Sequence, residues 1–303
     1  MKNILLILLG PTGVGKTDIS IDLAVRFNCE IISADSRQFF KEMKIGTAVP
    51  DDLQLNAVKH HFIGFLSVQD YYSSSLFERD VLHLLPRLFA RNRLVIMSGG
   101  SGMYIDAVCS GIDNIPDVDP VIREKFIKMF RDSGIDGLRS ALKHSDPEYY
   151  AKVDLNNPKR IMRALEICET SGCPYSSFLK KQKKERDFTI LKIGLERTRS
   201  DLYGRINSRV DDMVKKGLEK EAGNLLKFRN YNALNSVGYR EFFDYFDGLV
   251  SWEKAVELIK RNSRRYAKRQ ITWWGKDKNI KWFHPDQIQE IIDYISDSII
   301  ADN

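Results

Sequence analysis

The chain opens on an unbroken apolar run, Ile4 to Leu9, after which hydrophobic positions recur at helical spacing, with Ile19, Leu23, Ala24 and Phe27 falling between Lys16 and Phe27. A continuous run of that length fits a central parallel strand covered on both faces, and the period that follows fits an amphipathic helix. Further strands are expected at Glu30 to Ala34, His61 to Leu66, Arg93 to Met97 and Thr189 to Leu195, with helical stretches between them. That alternation predicts an α/β fold with a parallel sheet and right-handed crossovers.

Between Gly111 and about Arg186 the strand pattern gives way to helices punctuated by Pro and Gly. Asp119-Pro120 sets a capping residue before a proline at the first helical position, and Gly134 offers a stop after Phe126, Ile127 and Phe130. Asn157-Pro158 repeats the device for a helix that runs to Gly172, with Pro174 beyond it. The return segment, Lys180 to Arg186, is dense in positive charge and reads as a solvated linker. From about Tyr203 the pattern is again largely helical and closes on Gln287 to Ile300, with Ile288, Ile291, Ile292 and Ile295 on one side. Three stretches are expected: a first part of the core over 1–112, a helical insertion over 113–187, and a completion of the core with basic helices over 188–303.

Composition narrows the class. At 303 residues, 43% hydrophobic and 29% charged, this is an ordinary globular chain, and no apolar run approaches the length of a bilayer span. The apolar N-terminal run is short for a secretory signal and leads straight into a glycine-rich turn, so it is read as a strand. Cys29, Cys109, Cys168 and Cys173 show no paired metal-ligand spacing and are expected to be buried thiols in a reducing cytoplasm. A net charge of +6 allows a polyanionic partner.

The glycine-rich turn carries the strongest chemical signal. Gly10-Pro11-Thr12-Gly13-Val14-Gly15-Lys16-Thr17 lies between strand and helix as a P-loop requires. Its glycines let the backbone fold around phosphate oxygens, amides and the helix N-terminus attract the anion, and Lys16 neutralises it. Thr17 would place its hydroxyl on a magnesium ion shared with the same phosphates. The expected fold is therefore α/β, a P-loop NTPase-like parallel-sheet core with a helical insertion domain and a largely helical C-terminal region. Asp35, in Asp35-Ser36-Arg37-Gln38, falls at the carboxyl end of the second strand, the edge where open α/β sheets bind ligands. Spacing alone leaves it equally a magnesium-side carboxylate or a helix cap. His60-His61 has no convincing metal-ligand company and reads as structural. Further on, Ser251 can cap a helix that carries Lys260, Arg264 and Lys268 in one row and Arg261, Arg265 and Arg269 in the next, with Tyr266 among them and Trp273-Trp274 following. Such a double stripe suits a phosphate backbone, and its aromatic planes suit unstacked bases. A solvated face beside core aromatics, or a membrane-surface helix, would leave a similar pattern.

Taken with Ile45-Gly46-Thr47-Ala48, Gly99 to Tyr104, Arg160 to Glu166, Val237 to Glu241 and Tyr266 to Gln270 in that order, the P-loop and the Asp35 motif resemble the tRNA dimethylallyltransferases over nearly the whole chain. The departures are Ser101 for a usual threonine, Phe39-Phe40 for an aliphatic-tyrosine pair and Val49 for a frequent lysine. The resemblance implies a soluble, cytoplasmic, monomeric enzyme that moves a dimethylallyl group from its diphosphate to N6 of the adenosine 3′ of the anticodon, in tRNAs reading codons that begin with U. It implies that the P-loop, Gly10 to Thr17, grips dimethylallyl diphosphate with Mg2+ on Thr17, that Asp35 accepts the N6 proton, and that Arg209 adds a diphosphate contact. For the tRNA anticodon stem-loop it implies contacts at Asp35, Ser36, Arg37, Gln38, Ser101, Arg123, Lys159, Arg160, Ile161, Met162, Arg163, Gly238, Tyr239, Arg240, Lys268, Arg269, Gln270 and Trp273. Two other readings carry the same P-loop, a small-molecule kinase using ATP and a noncatalytic RNA-binding nucleotide sensor.

Overall fold

The computed structural model describes residues 2–113, 115–116, 118–179 and 184–301. Its centre is a six-stranded sheet in the spatial order β3 (His60–His61), β2 (Ile31–Ser33), β4 (Leu94–Gly99), β1 (Asn3–Leu9), β5 (Phe188–Leu195) and β6 (Ile280–Phe283), with every pairing parallel. In chain order, β1 (Asn3–Leu9) leads through the glycine-rich turn into α1 (Lys16–Arg26), and β2 (Ile31–Ser33), α2 (Asp52–Ala57) and β3 (His60–His61) follow. Next come α3 (Ser74–Phe89), β4 (Leu94–Gly99) and α4 (Gly102–Ser110). The strand expected over His61 to Leu66 is cut to two residues, because Phe62 turns into a positive φ of 63° and the chain leaves the sheet.

β1 is apolar throughout because both of its faces are buried. Leu5, Ile7 and Leu9 enter one core with Phe77, Val81 and Met97, whereas Ile4, Leu6 and Leu8 enter the other with Ile19, Leu23, Ile291 and Ile295. The two-residue period of the strand sorts them. At its carboxyl end Leu9 lies level with Gly99 of β4 and Gly194 of β5, so the turns after neighbouring strands converge on one edge.

The chain divides into two compact units, residues 1–110 with 185–303, and residues 111–184. The smaller unit is helical, with α5 (Pro120–Ser145) broken at Gly134, α6 (Pro147–Tyr150) and α7 (Pro158–Ser171). The caps foreseen at Asp119 and Asn157 accept from the amides of Val121 and Arg160, and α7 ends at Gly172. Phe126, Leu138, Leu142, Ile161, Ala164 and Leu165 form this unit's own core.

The larger unit resumes with β5 (Phe188–Leu195), α8 (Arg199–Lys215), α9 (Leu218–Leu225), α10 (Tyr239–Phe246), α11 (Trp252–Trp274), β6 (Ile280–Phe283) and α12 (Ile288–Ala301). Of the basic return segment, Lys180 to Lys183 lie outside the described residues. Arg186 departs from a solvated linker: it is largely buried, pairs with Glu78 at 2.8 Å, and donates to the carbonyls of Ala107 and Val108 near the end of α4. The four cysteines are free. Cys29 and Cys109 are buried as expected, while Cys168 is half-buried and Cys173 exposed. No helix among the described residues is long and apolar enough to cross a membrane.

Candidate active site

The turns after β1, β2 and β4 and one face of α8 and α11 line a cavity of about 940 Å3 in the larger unit. In the first turn, Gly10, Gly13 and Gly15 take φ of 152°, 82° and 111°, values that an L side chain resists. Gly15 caps α1 without a side chain, so the first-turn amides of α1 stay available to an anion. Lys16 and Thr17 follow on the cavity wall. The Lys16 ammonium donates to the carbonyls of Gly10 at 2.7 Å and Pro11 at 3.0 Å. Desolvation by the surrounding protein, then the Arg209 guanidinium, lowers it to about 7, with Asp35 pulling the other way.

Arg209 reaches the loop from α8, donating to Thr12 Oγ1 at 3.1 Å and to the Thr47 carbonyl at 3.4 Å. Its i−4 neighbour Arg205 donates to the Gly13 carbonyl at 3.0 Å, and Arg197, just before α8, donates to the Val14 carbonyl at 2.9 Å. Three arginines thus brace one loop; the sequence drew attention to Arg209, whereas the contact of Arg197 depends on how β5 delivers it.

Asp35 stands across the cavity, where β2 ends. Its Oδ1 accepts from the Arg37 amide at 3.0 Å, and the Gln38 amide donates to the Asp35 carbonyl at 3.0 Å, which closes a tight turn. Ser101 Oγ accepts from the Ser36 amide at 2.9 Å and sits 3.1 Å from Ser36 Oγ, so a serine there supplies the hydroxyl that the turn needs. Gln38 donates to the carbonyls of Thr47 and Ala48, and that segment is pinned from behind by Glu221, whose carboxylate accepts from the amides of Lys44, Ile45 and Gly46. Glu221 had no signal in the sequence, since it reads as one more polar residue on a helix. Tyr266 of α11 also lines the cavity; burial, then Asp35, push its phenol up to about 12, so it faces the carboxylate as a neutral group.

Several residues expected against RNA are placed otherwise. Tyr239 is fully buried, with its hydroxyl on Glu221 at 2.7 Å, and the buried Gly238 donates its amide to Glu241. Ile161 is fully enclosed in the smaller unit's core, with Met162 half-buried beside it. Arg37 spends its guanidinium on the carbonyls of Asn232 and Ala233. The double stripe on α11 is also not uniformly solvated: Lys260 pairs with Asp211 at 2.6 Å and Arg264 bonds Asn207 at 2.6 Å, docking these two residues of their row on α8. Arg265, Lys268 and Arg269 remain exposed. Trp274 belongs to the core, while Trp273 is half exposed and donates to Asp106 at 2.8 Å. Arg240 on α10 is exposed. In the smaller unit Lys159 and Arg160 are exposed, and the buried Glu166 carboxylate holds Arg123 at 3.3 Å and Arg163 at 3.5 Å. His61 bonds Glu30 at 2.6 Å and His60 the Val58 carbonyl, and no cluster of three or more His, Cys, Asp or Glu side chains gathers as a metal cage among the described residues. The donor set therefore suits magnesium only in the manner of a single hydroxyl, Thr17, completed by water and by the oxygens of a bound diphosphate.

A parallel sheet whose central strand runs into this phosphate loop, with a carboxylate facing the loop from the next strand end, defines the P-loop class of α/β proteins. Within that class, the family model for IPP transferase matches residues 38–277, and the chain belongs to that family. It is 50% identical to the tRNA dimethylallyltransferase 1 of Bacteroides fragilis over 97% of this chain and 98% of that protein, and 52% identical to the tRNA dimethylallyltransferase 2 of Parabacteroides distasonis over 98% and 100%. Among solved structures it resembles the tRNA isopentenylpyrophosphate transferase of Bacillus halodurans, with a TM-score of 0.71, 36% identity and coverage of 97% and 96%. It also resembles a eukaryotic dimethylallyltransferase acting on tRNA, with a TM-score of 0.78, 25% identity and coverage of 97% and 80%.

Proposed function

We propose that this chain transfers a dimethylallyl group from dimethylallyl diphosphate to N6 of the adenosine 3′ of the anticodon, in tRNAs reading codons that begin with U. The chain is a tRNA prenyltransferase by family. The finer reading rests on one observation: a phosphate loop and Asp35 line the same cavity, so a leaving group and a proton acceptor are available to one reaction.

The amine is too weak an acid for a carboxylate to deprotonate it before attack, so proton removal accompanies bond formation. As N6 bonds to the allylic carbon, the carbon–oxygen bond breaks and its electron pair leaves with the diphosphate. The nitrogen becomes cationic, its proton acidifies, and Asp35 takes it. Lys16, Arg209 and the loop amides stabilise the charge that grows on the leaving diphosphate. Thr17 would hold magnesium against the same oxygens, where the ion would offset further charge. Ile31, Ile45, Ala48, Val49 and Met213 give the cavity an apolar side suited to the prenyl chain. Exposed Arg240, Arg265, Lys268, Arg269 and Trp273, together with Arg123, Lys159, Arg160 and Arg163 of the smaller unit, supply charges and a ring for the tRNA stem-loop. Magnesium as cofactor, a monomeric state and a cytoplasmic location belong to the same proposal.

The test is to incubate the protein with magnesium, unmodified tRNA and either dimethylallyl diphosphate or ATP, and to weigh the nucleosides after digestion. An adenosine heavier by one dimethylallyl group is expected with the prenyl donor alone. Its absence from folded protein, or phosphate transfer from ATP, would overturn the reading.

A pH dependence follows from Lys16. Its ammonium titrates near 7 in the free protein, and a bound diphosphate must raise that value, so binding above pH 7 takes up a proton. Affinity for dimethylallyl diphosphate is therefore expected to weaken as pH rises from 7 to 9, by up to roughly tenfold per unit. Measured beside Lys16→Met, whose remaining slope reports ionisation of the donor itself, the wild type should show the steeper fall in affinity with pH. Equal slopes in both proteins would exclude Lys16 as the titrating group.

A further inference from the structure

Gln270 was expected against tRNA, yet its side chain is buried and both ends of its amide are spent inside the protein. Oε1 accepts from the backbone amide of Thr12 at 2.8 Å, in the phosphate loop, and Nε2 donates to the carbonyl of Gly100 at 2.8 Å, in the turn after β4. One turn earlier on α11, the Tyr266 hydroxyl points at the same carbonyl at 3.5 Å. The fit is close: a Cβ on Gly100 would stand 2.5 Å from Gln270 Nε2, so only glycine leaves room for the amide. The Gly100 turn in turn governs Asp35. Ser101, the next residue, donates its amide to the Ala34 carbonyl at 3.1 Å and accepts the Ser36 amide on its hydroxyl. Residues on both sides of Asp35 are thus fastened to a turn that Gln270 fastens to the phosphate loop.

We propose that Gln270 is a positioning residue for the transfer: by bridging Thr12 and Gly100 it sets the separation between the diphosphate grip and the proton acceptor Asp35. This rests on the prenyl-transfer reading above. The amide is the side chain that suits the place, because it must accept at one end and donate at the other. A carboxylate could only accept unless protonated, and a thioether could do neither. Attack, proton removal and departure of the diphosphate occur together, and a reacting geometry displaced by about 1 Å costs on the order of a hundredfold in rate. Gln270 also sits between exposed Lys268, Arg269 and Trp273 on the same helix, so the element offered to RNA is the element that spaces the two halves of the site.

The experiment compares wild type, Gln270→Met and Gln270→Glu in single-turnover transfer with saturating unmodified tRNA and dimethylallyl diphosphate, alongside tRNA binding and thermal unfolding. Gln270→Met should lower the transfer rate by about tenfold to a hundredfold, with tRNA affinity within about threefold of wild type. For Gln270→Glu the rate relative to wild type should rise as pH falls, because protonation restores the donor toward Gly100. A matching loss of tRNA affinity and rate would overturn the inference in favour of a direct RNA contact, and an unchanged rate in folded Gln270→Met would overturn it outright. Should Gln270→Met fail to fold, a pH-independent ratio in Gln270→Glu would overturn it equally. Wild-type protein that makes no prenylated adenosine would instead sink the activity reading, so the two failures are distinguishable.

Discussion

Asp35→Asn is expected to cut the rate of prenyl transfer by roughly a hundredfold to ten-thousandfold, the range lost with a positioned general base, while tRNA binding stays near wild type. Asparagine keeps an oxygen that can accept the Arg37 amide, so the turn over Asp35 to Gln38 retains its closure. What it loses is the capacity to take a proton. Because N6 becomes acidic only as its bond to carbon forms, that loss falls on the chemical step and appears in single-turnover rate. Asp35→Ala removes the turn's acceptor as well and should lose at least as much. An Asp35→Asn protein with wild-type turnover would remove Asp35 from the chemistry. A loss of tRNA affinity equal to the loss of rate would give it a docking role instead.

Lys16→Met is the second large effect, with an expected loss of roughly a hundredfold to a thousandfold in kcat/KM for dimethylallyl diphosphate, as for other preorganised donors to a developing anion. The free protein holds this ammonium against backbone carbonyls and beside Arg209, where burial and repulsion work against its charge. The sign for stability follows. A lysine lowered in the folded state binds fewer protons there than in the unfolded chain, so the cost of its buried charge is full below pH 7, and stability recovers as pH rises from 7 toward its ordinary value near 10.5. Removing it should leave the free protein at least as stable as wild type at pH 8 while transfer collapses. Thermal unfolding paired with steady-state kinetics checks both parts. A variant with wild-type kinetics would take the phosphate loop out of the mechanism, and one that melts well below wild type would assign Lys16 a structural role.

Local pattern accounts for most of the fold. β1 was legible because both faces are covered and every residue is apolar, and the caps at Asp119, Asn157 and Ser251 were legible because capping is decided within a few residues of chain. β6 was not: Ile280 and Phe283 are buried, Lys281 is exposed, and four residues with a charge among them carry no period that distinguishes a strand from a turn. Its place comes from pairing with β5, an interaction made over more than eighty residues of separation. The strand overextended through Leu66 fails for the reverse reason, since an apolar run gives no warning that Phe62 will turn out of the sheet.

The site divides along the same line. The sequence by itself determined the phosphate loop, because glycines, lysine and threonine at fixed spacing between a strand and a helix carry their chemistry in the local backbone. It also placed Asp35 at a strand end on the ligand edge, and set the residues of α11 into rows. Tertiary structure decided which of those residues do which task. It docked Lys260 and Arg264 on α8, buried Tyr239, Ile161 and Trp274, and left Arg265, Lys268 and Arg269 to solvent. It also turned Gln270 inward to the phosphate loop and brought Arg197 and Glu221 to the site from distant segments. The physical reason is that helical period fixes the angle between side chains but not the direction of the core, which is set by what packs against the helix.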